Sequence, residues 1–409
     1  MAESSPGPYP GLRPTWARVD LAAVRHNAAV LKRLAAPAAL CAVVKADAYG
    51  HGTVAVARAA LEGGASWLAV ALVEEGIALR DAGIDAPVLL LSEPPPAAMR
   101  TVVERGLTPT LYTAAAVAGA AGAAAAVGAV LPVQVKVDTG MHRVGADPAD
   151  VVGLVAAVDR APALRFGGLW SHLAVADEVD DESRAFTAAQ VRLLAESRAA
   201  LAAAGLDPPL VHLANSAGAI AVPEARLDMV RCGISLYGVV PSPALAPILA
   251  AAPALGGGEG LRPVLSLRSE VSLVRVIEAG ERPSYGRRTA LERRSLVATV
   301  PIGYADGVPR RYGAQGGTVL IGGRRRPLAG TVTMDQIVVD CGADAEGPGA
   351  AVAVGDEVVL IGRQGQGSLS VQDWADVLGT IGNEVLTEIG SRVPRVTVDD
   401  GEPDEEEKR

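Results

Sequence analysis

The stretch Cys41-Ala-Val-Val-Lys45-Ala-Asp47-Ala-Tyr49-Gly50-His51-Gly52 decides how the chain is read. Cys41 to Val44 is a short apolar run of the kind that forms a buried strand. Lys45 follows at once, then a turn-forming segment with Asp47, Gly50 and Gly52, then helical sequence from Thr53. A charged amine at the end of a buried strand is costly unless something uses it. Composition sharpens the point. Of 37 basic residues only four are lysines, Lys32, Lys45, Lys136 and Lys408, and two of these, Lys45 and Lys136, end apolar runs. An amine can form a Schiff base or a carbamate, which a guanidinium does not do under ordinary conditions. A structural or phosphate-neutralising lysine is the alternative that this stretch alone leaves open.

Working outward, the same strand-turn-helix unit repeats. Strand candidates end near Lys45, Ala71, Ser92, Tyr112, Lys136, His172, Ala214 and Arg231. Helical stretches such as Val73–Ala82, Ala97–Arg105, Ala149–Val158 and Ser183–Ala204 lie between them. Eight such units predict an α/β fold, a (β/α)8 TIM-type barrel over residues 21–255, with its chemistry at the strand C-termini. Lys45, Lys136, His172, Asn215 and Arg231 all fall there. Ahead of the barrel, residues 1–14 are expected to be disordered, and Thr15–Asp20 reads as a strand associated with a later β domain. Leu21–Leu34 has helical spacing, with Asp20 as its cap. The Gly-rich segment Ala252–Gly260 marks a boundary. Beyond it, residues 256–398 read as a mostly β domain of alternating runs: Ser266–Val276, Leu296–Pro301, Thr318–Ile321, Ile337–Asp340, Glu357–Ile361 and Arg395–Val398. A short helix is expected at Trp374–Leu378, and residues 399–409 form an acidic tail.

Bulk properties narrow the class. Hydrophobic content of 50% with only 3% aromatics implies a sizeable core of Ala, Val and Leu across the 409 residues. A net charge of −9 without a basic stripe argues against nucleic acid as a partner. Three widely spaced cysteines, Cys41, Cys232 and Cys341, suit a reducing, cytoplasmic setting. The N-terminus lacks the apolar core of a signal peptide. The uncharged run Ala114–Val133 reads as a barrel helix followed by a strand rather than a membrane span, because Pro132 interrupts it.

Two late motifs add a phosphate site. Val211-His-Leu-Ala-Asn-Ser216 and Val230-Arg231-Cys-Gly233-Ile234 end successive strands and offer a hydroxyl and backbone amides where barrels usually bind phosphate. Together with Lys45 they suggest pyridoxal 5′-phosphate (PLP) held through an amine. At this point the chain resembles the alanine racemase family. AVVKADAYGHG, KVDTGMHRVG, SHLAVADE, HLANS, VRCGISLYG, SYG at 284–286, PIGYADG, TMDQ and RVPR follow in order from about Thr15 to about Val398.

The resemblance implies a barrel plus a β domain, paired head to tail as a homodimer with shared active sites, acting as an isomerase on a small amino acid. It implies that Lys45 holds PLP and is one base, and that Tyr285 of the other subunit is the second. A free Tyr titrates near 10 and a free Lys near 10.4, so both need tuning. His172 and Arg231 would back the tyrosine, Arg231 facing the pyridine nitrogen. Arg143 and the Met334 backbone would meet the substrate carboxylate, with Lys136, carbamylated, orienting Arg143. Tyr49, Ser216, Gly233 and Ile234 would cradle the phosphate, and Tyr304 would wall the entrance. No metal is implied. His51, His142 and His212 read as structural or supporting, and Tyr237 and Met141 as packing residues.

Two positions depart from the family pattern. Asn383 stands where tyrosine is usual, and Thr331 where arginine is common. Both changes shorten a side chain at the implied entrance, so a serine or broad-specificity racemase is the alternative to an alanine racemase. A PLP-dependent decarboxylase and a non-catalytic PLP-binding protein fit the β domain and Tyr285 less well.

Overall fold

The computed structural model describes residues 12–255, 260–343 and 352–399. The chain folds into two compact units. The first holds Ala23–Ala48 and Gly52–Arg262. The second holds the described residues up to Ala22, the short piece Tyr49–His51, and the described residues from Pro263 onward. Most of the 1–14 and 399–409 segments lies outside the described residues.

Strand β1 (Thr15–Asp20) belongs to the second unit. The first unit is built on β2 (Ala39–Val43), β3 (Trp67–Val70), β4 (Val88–Leu90), β5 (Thr110–Leu111), β6 (Leu131–Lys136), β7 (Leu164–Trp170), β8 (Val211–His212) and β9 (Met229–Cys232). They form one eight-stranded parallel sheet in the order β4-β3-β2-β9-β8-β7-β6-β5. A parallel bridge, Leu89↔Thr108, joins its two ends, with Leu90 N–H donating to the Thr108 carbonyl at 2.9 Å. The barrel architecture expected from the alternation is therefore present. Its strands are buried on both faces, which is why Leu40–Val44 reads as an unbroken apolar run. The uncharged run divides as expected. Thr113 caps a helix over Ala114–Val127 by accepting from Ala116 N–H at 3.1 Å, and Gly128 ends it in the left-handed region at φ 72°. Among the described residues no helix is long and apolar enough to cross a membrane.

The segment after Lys45 is more than a turn. Ala46, Asp47, Ala48 and Tyr49 all have φ between 51° and 53°, a single left-handed helical turn. Each such non-glycine residue costs about 1–2 kcal/mol, so the conformation must be held by its surroundings. Glu75 accepts from Ala46 N–H at 2.6 Å, and Asp47 accepts from Thr53 N–H at 2.9 Å. Arg395 donates to the Gly50 carbonyl at 2.8 Å.

The second unit contains β10 (Leu265–Glu270), β11 (Leu273–Ile277), β12 (Ser295–Val300), β13 (Thr318–Ile321), β14 (Arg324–Pro327), β15 (Ile337–Asp340), β16 (Glu357–Gln364), β17 (Gly367–Leu369) and β18 (Arg395–Val398). A seven-stranded sheet runs β14-β13-β16-β10-β1-β18, with β17 on β16, and a three-stranded sheet runs β11-β12-β15. The alternating run Ser266–Val276 is in fact two strands in two sheets, parted at Val271–Ser272. Period-2 alternation continues through such a switch, so the pattern hides it. Helix Val371–Leu378 starts at a Ser370–Asp373 capping box, earlier than expected, and Trp374 stacks on Tyr312 at 4.4 Å.

Gly50 has φ 79°, and a Cβ there would stand 2.8 Å from the Leu386 carbonyl. Gly50→Ala should therefore lower stability by more than about 1 kcal/mol, read as a drop in melting temperature; an unchanged melt would contradict this account of the turn.

Candidate active site

The barrel's strand ends gather the unusual side chains. Val44 N–H still pairs with the Ala69 carbonyl at 2.9 Å, so Lys45 leaves directly from the end of the sheet. Its amine makes no hydrogen bond or ion pair among the described residues. Burial lowers its pKa, Arg143 lowers it further, and Glu75 opposes both. Tyr237, buried, donates its hydroxyl to the Val43 carbonyl at 2.8 Å and braces this strand end, a packing role as expected.

Arg231 is the hub. It is buried, and its guanidinium meets no carboxylate among the described residues. NH1 donates to His212 Nδ1 at 2.6 Å, and NH2 reaches the Ser171 carbonyl at 2.7 Å, the Leu213 carbonyl at 3.1 Å and His172 Nδ1 at 3.2 Å. A guanidinium only donates, so both imidazoles must accept at Nδ1. His212 then carries its proton on Nε2 and donates it to Gln134 Oε1 at 2.7 Å. His172 likewise carries its proton on Nε2, a donor aimed away from Arg231. Burial and then the Arg231 charge push both histidines well below the usual range, which keeps them neutral. Burial also pulls Arg231 down, to about 10, so it stays charged near neutrality. His212 thus supports Arg231 from behind, within the structural or supporting role expected of it.

Lys136 ends β6, nearly inaccessible at 3% exposure. Burial first, then Arg231 and Arg143, lower its pKa to about 7, with Asp138 opposing. The loop after it doubles back: Ala146 N–H donates to the Lys136 carbonyl at 2.8 Å and Asp138 N–H to the Ala146 carbonyl at 2.9 Å. Gly145 permits this approach, since a Cβ there would lie 2.7 Å from Asp138 N. The return carries the exposed Arg143 to within electrostatic reach of Lys45, Lys136 and His172. His142 is exposed and pairs with Asp138 at 3.5 Å. Beside Arg231, Ser216 Oγ accepts from Gly233 N–H at 3.0 Å and Ser235 N–H at 3.4 Å.

The remaining expected residues belong to the second unit. Tyr285 is 70% exposed. Thr331 donates to the Tyr285 carbonyl at 3.0 Å, and Ser284 donates to the Thr331 carbonyl at 2.5 Å. Tyr304 and Met334 share one junction, where Tyr304 N–H donates to the Thr333 carbonyl at 2.9 Å and Ala305 N–H to the Met334 carbonyl at 3.1 Å. Beneath it lies Asp306, buried and ion-paired with Arg13 at 2.8 Å and Arg392 at 3.3 Å. Asn383 is half-buried on the helix Gly382–Glu388. Tyr49 is buried, with its phenol pushed up to about 12, and the buried His51 contacts the Tyr49 carbonyl at 2.9 Å.

Sequence reading missed Gln134, Trp170, Glu75 and Asp306. Two of these carried a signal: Gln134 precedes Lys136 by two, and Trp170 precedes His172 by two, so each shares a strand face with a singled-out residue. Among the described residues no His, Cys, Asp and Glu cluster could hold a metal ion. The donor set does fit PLP. It offers an amine without a partner among the described residues, a buried guanidinium and a loop whose amides converge on a serine hydroxyl.

The profiles described as "Alanine racemase, N-terminal domain" and "Alanine racemase, C-terminal domain" match residues 19–241 and 264–397. The alanine racemase of Symbiobacterium thermophilum is 44% identical over 386 residues, covering 94% of this chain and 97% of its own. The crystal structure of alanine racemase from Bacillus anthracis with bound L-Ala-P is 36% identical, with a TM-score of 0.85 over 96% of this chain and 97% of that one. Alanine racemase from Streptomyces coelicolor A3(2) is 42% identical, with a TM-score of 0.84 over 94% and 98%.

Removing the Arg231 charge should let both imidazoles take protons more readily. In Arg231→Gln the NMR titration midpoints of His172 and His212 should rise toward the ordinary histidine value; midpoints that stay put would show the network to be misread.

Proposed function

The chain belongs to the alanine racemase family, and from that premise we propose which residues carry its reaction. It is a PLP-dependent isomerase that interconverts L- and D-alanine. The division of labour among its residues rests chiefly on the Arg231 hub, whose His172 feels the charge of Lys45, an amine without a hydrogen-bond partner among the described residues. When bound, PLP supplies the electron sink that acidifies the substrate Cα–H.

Racemisation removes a proton from one face of Cα and returns one on the other, so it needs two proton-handling groups. Lys45 is one, and burial, which lowers its pKa, favours the neutral amine that a base requires. Tyr285 is the second. Its exposure on its own β unit suits a residue that completes the site of another copy, in a homodimer with shared sites. His172 offers its Nε2–H to the tyrosine oxygen and would stabilise the phenolate. Arg231 would hold the pyridine nitrogen. A guanidinium keeps its proton, so Arg231 would leave that nitrogen unprotonated, which would limit electron withdrawal and disfavour transamination and decarboxylation.

Arg143 and the Met334 N–H take the substrate carboxylate, and Tyr304 walls its approach. Tyr49, Ser216 and the Gly233 and Ile234 amides take the phosphate. Lys136 orients Arg143 as a carbamate, formed when its neutral amine attacks CO2 and releases a proton. A pKa near 7 makes that neutral amine abundant. A cytoplasmic setting is supported by three cysteines that are all free and buried.

Tyr285→Phe should lower racemisation by about 10²–10⁴-fold. In D2O it should still exchange the Cα–H of one alanine enantiomer without inverting it. Equal loss of exchange from both enantiomers would remove Tyr285 as a base. The short side chain at Asn383 predicts measurable L-serine turnover. Asn383→Tyr should raise the kcat/KM ratio of alanine over serine, and an unchanged ratio would count against any role at the entrance.

A further inference from the structure

Lys136 and Arg231 are two buried basic groups, close enough that the Arg231 charge lowers the Lys136 pKa, and among the described residues no carboxylate hydrogen-bonds to either. What they share is Trp170. The Lys136 amine stands 4.6 Å from the centroid of its ring and the Arg231 guanidinium carbon 4.5 Å. His212 stacks on the same indole, 5.5 Å between centroids and 10° between planes. Sheet register produces this cluster. Lys136 pairs with Trp170 across β6 and β7, and Trp170 with His212 across β7 and β8, so the three stand in one row of the barrel. Trp170 is 1% exposed, and its Nε1–H has no hydrogen-bond partner among the described residues. The indole is therefore not anchored through its polar edge. Its contacts with the charged groups are made by its π face, whose negative quadrupole attracts cations most strongly where water is excluded.

We propose that Trp170 is a positioning residue whose π face holds Lys136 and Arg231 in place and favours the charged form of Lys136. The ring thereby opposes the neutral amine that captures CO2 and so sets how fully Lys136 becomes the group that orients Arg143. This last step rests on the reading of Lys136 given above. The charged and titratable groups around Lys136 are Arg231, Arg143, Asp138 and His172, and those around Arg231 also include Cys41, Cys232 and His212.

Only four lysines occur in the chain, so isotope-labelled lysine NMR of the holoenzyme resolves Lys136 directly. Tryptophan carrying one, two or three fluorines at position 170 keeps the ring's shape and removes π density stepwise. In CO2-free buffer the Lys136 titration midpoint should fall with each fluorine, by about half to one pH unit across the series. At fixed CO2 the carbamate signal should grow in parallel. Trp170→Phe, which keeps a smaller π face, should fall within this range, whereas Trp170→Leu should shift furthest. A midpoint indifferent to fluorine overturns the proposal whether or not Lys136 is carbamylated. A midpoint that follows fluorine while no carbamate ever forms upholds the ring's hold on Lys136 and overturns both the CO2 step and the reading of Lys136 beneath it.

Discussion

A permanent positive charge, buried with no carboxylate partner among the described residues, organises this barrel. Arg231 survives there because every partner is a neutral acceptor correctly turned toward it: two backbone carbonyls and two imidazole nitrogens. An unpaired buried charge is among the most expensive features a fold can hold. The surroundings are therefore tightly specified. Gln134 fixes the far side of His212, and β7 and β8 must end in register for both histidines to meet one guanidinium. Arg231 and His172 are in turn held as fixed donors, which is what the roles proposed for them toward a cofactor ring and a second base require.

The same logic explains why the chemistry sits where it does. Lys45, Lys136, Arg143 and Arg231 crowd positive charge at one end of the sheet, and burial sharpens their mutual repulsion. Burial first, and that repulsion second, lowers both lysine pKa values and so favours their neutral, nucleophilic amines. The left-handed turn after Lys45 belongs to this economy of constraint. Four residues accept an unfavourable backbone so that the chain can leave the strand end and return at Gly52, with Glu75 and Asp47 holding the detour.

Much of this was legible in the sequence. The repeating strand-helix units gave the barrel because buried parallel strands are near-continuous apolar runs, and the scarce lysines and the ordered motifs marked Lys45, Lys136, Arg231 and Tyr285. What stayed hidden depended on three dimensions. The switch of Ser266–Val276 between sheets leaves period-2 alternation intact. The left-handed turn lacks the run of glycines that would announce it. Trp170 and Gln134 acquire meaning only through neighbours on adjacent strands. Thr331 is instructive, because a side chain singled out in the sequence for the room it leaves also donates to the carbonyl of Tyr285.

The central claim is that each site is completed by Tyr285 from a second copy of the chain. Mixing subunits tests it most directly. Lys45→Ala and Tyr285→Phe proteins, each nearly inactive alone, should regain about a quarter of wild-type alanine racemisation when reassociated at equal amounts, because half the dimers then contain one intact site of two. A mixture no more active than its parents, with exchange of subunits demonstrated, would contradict the shared site.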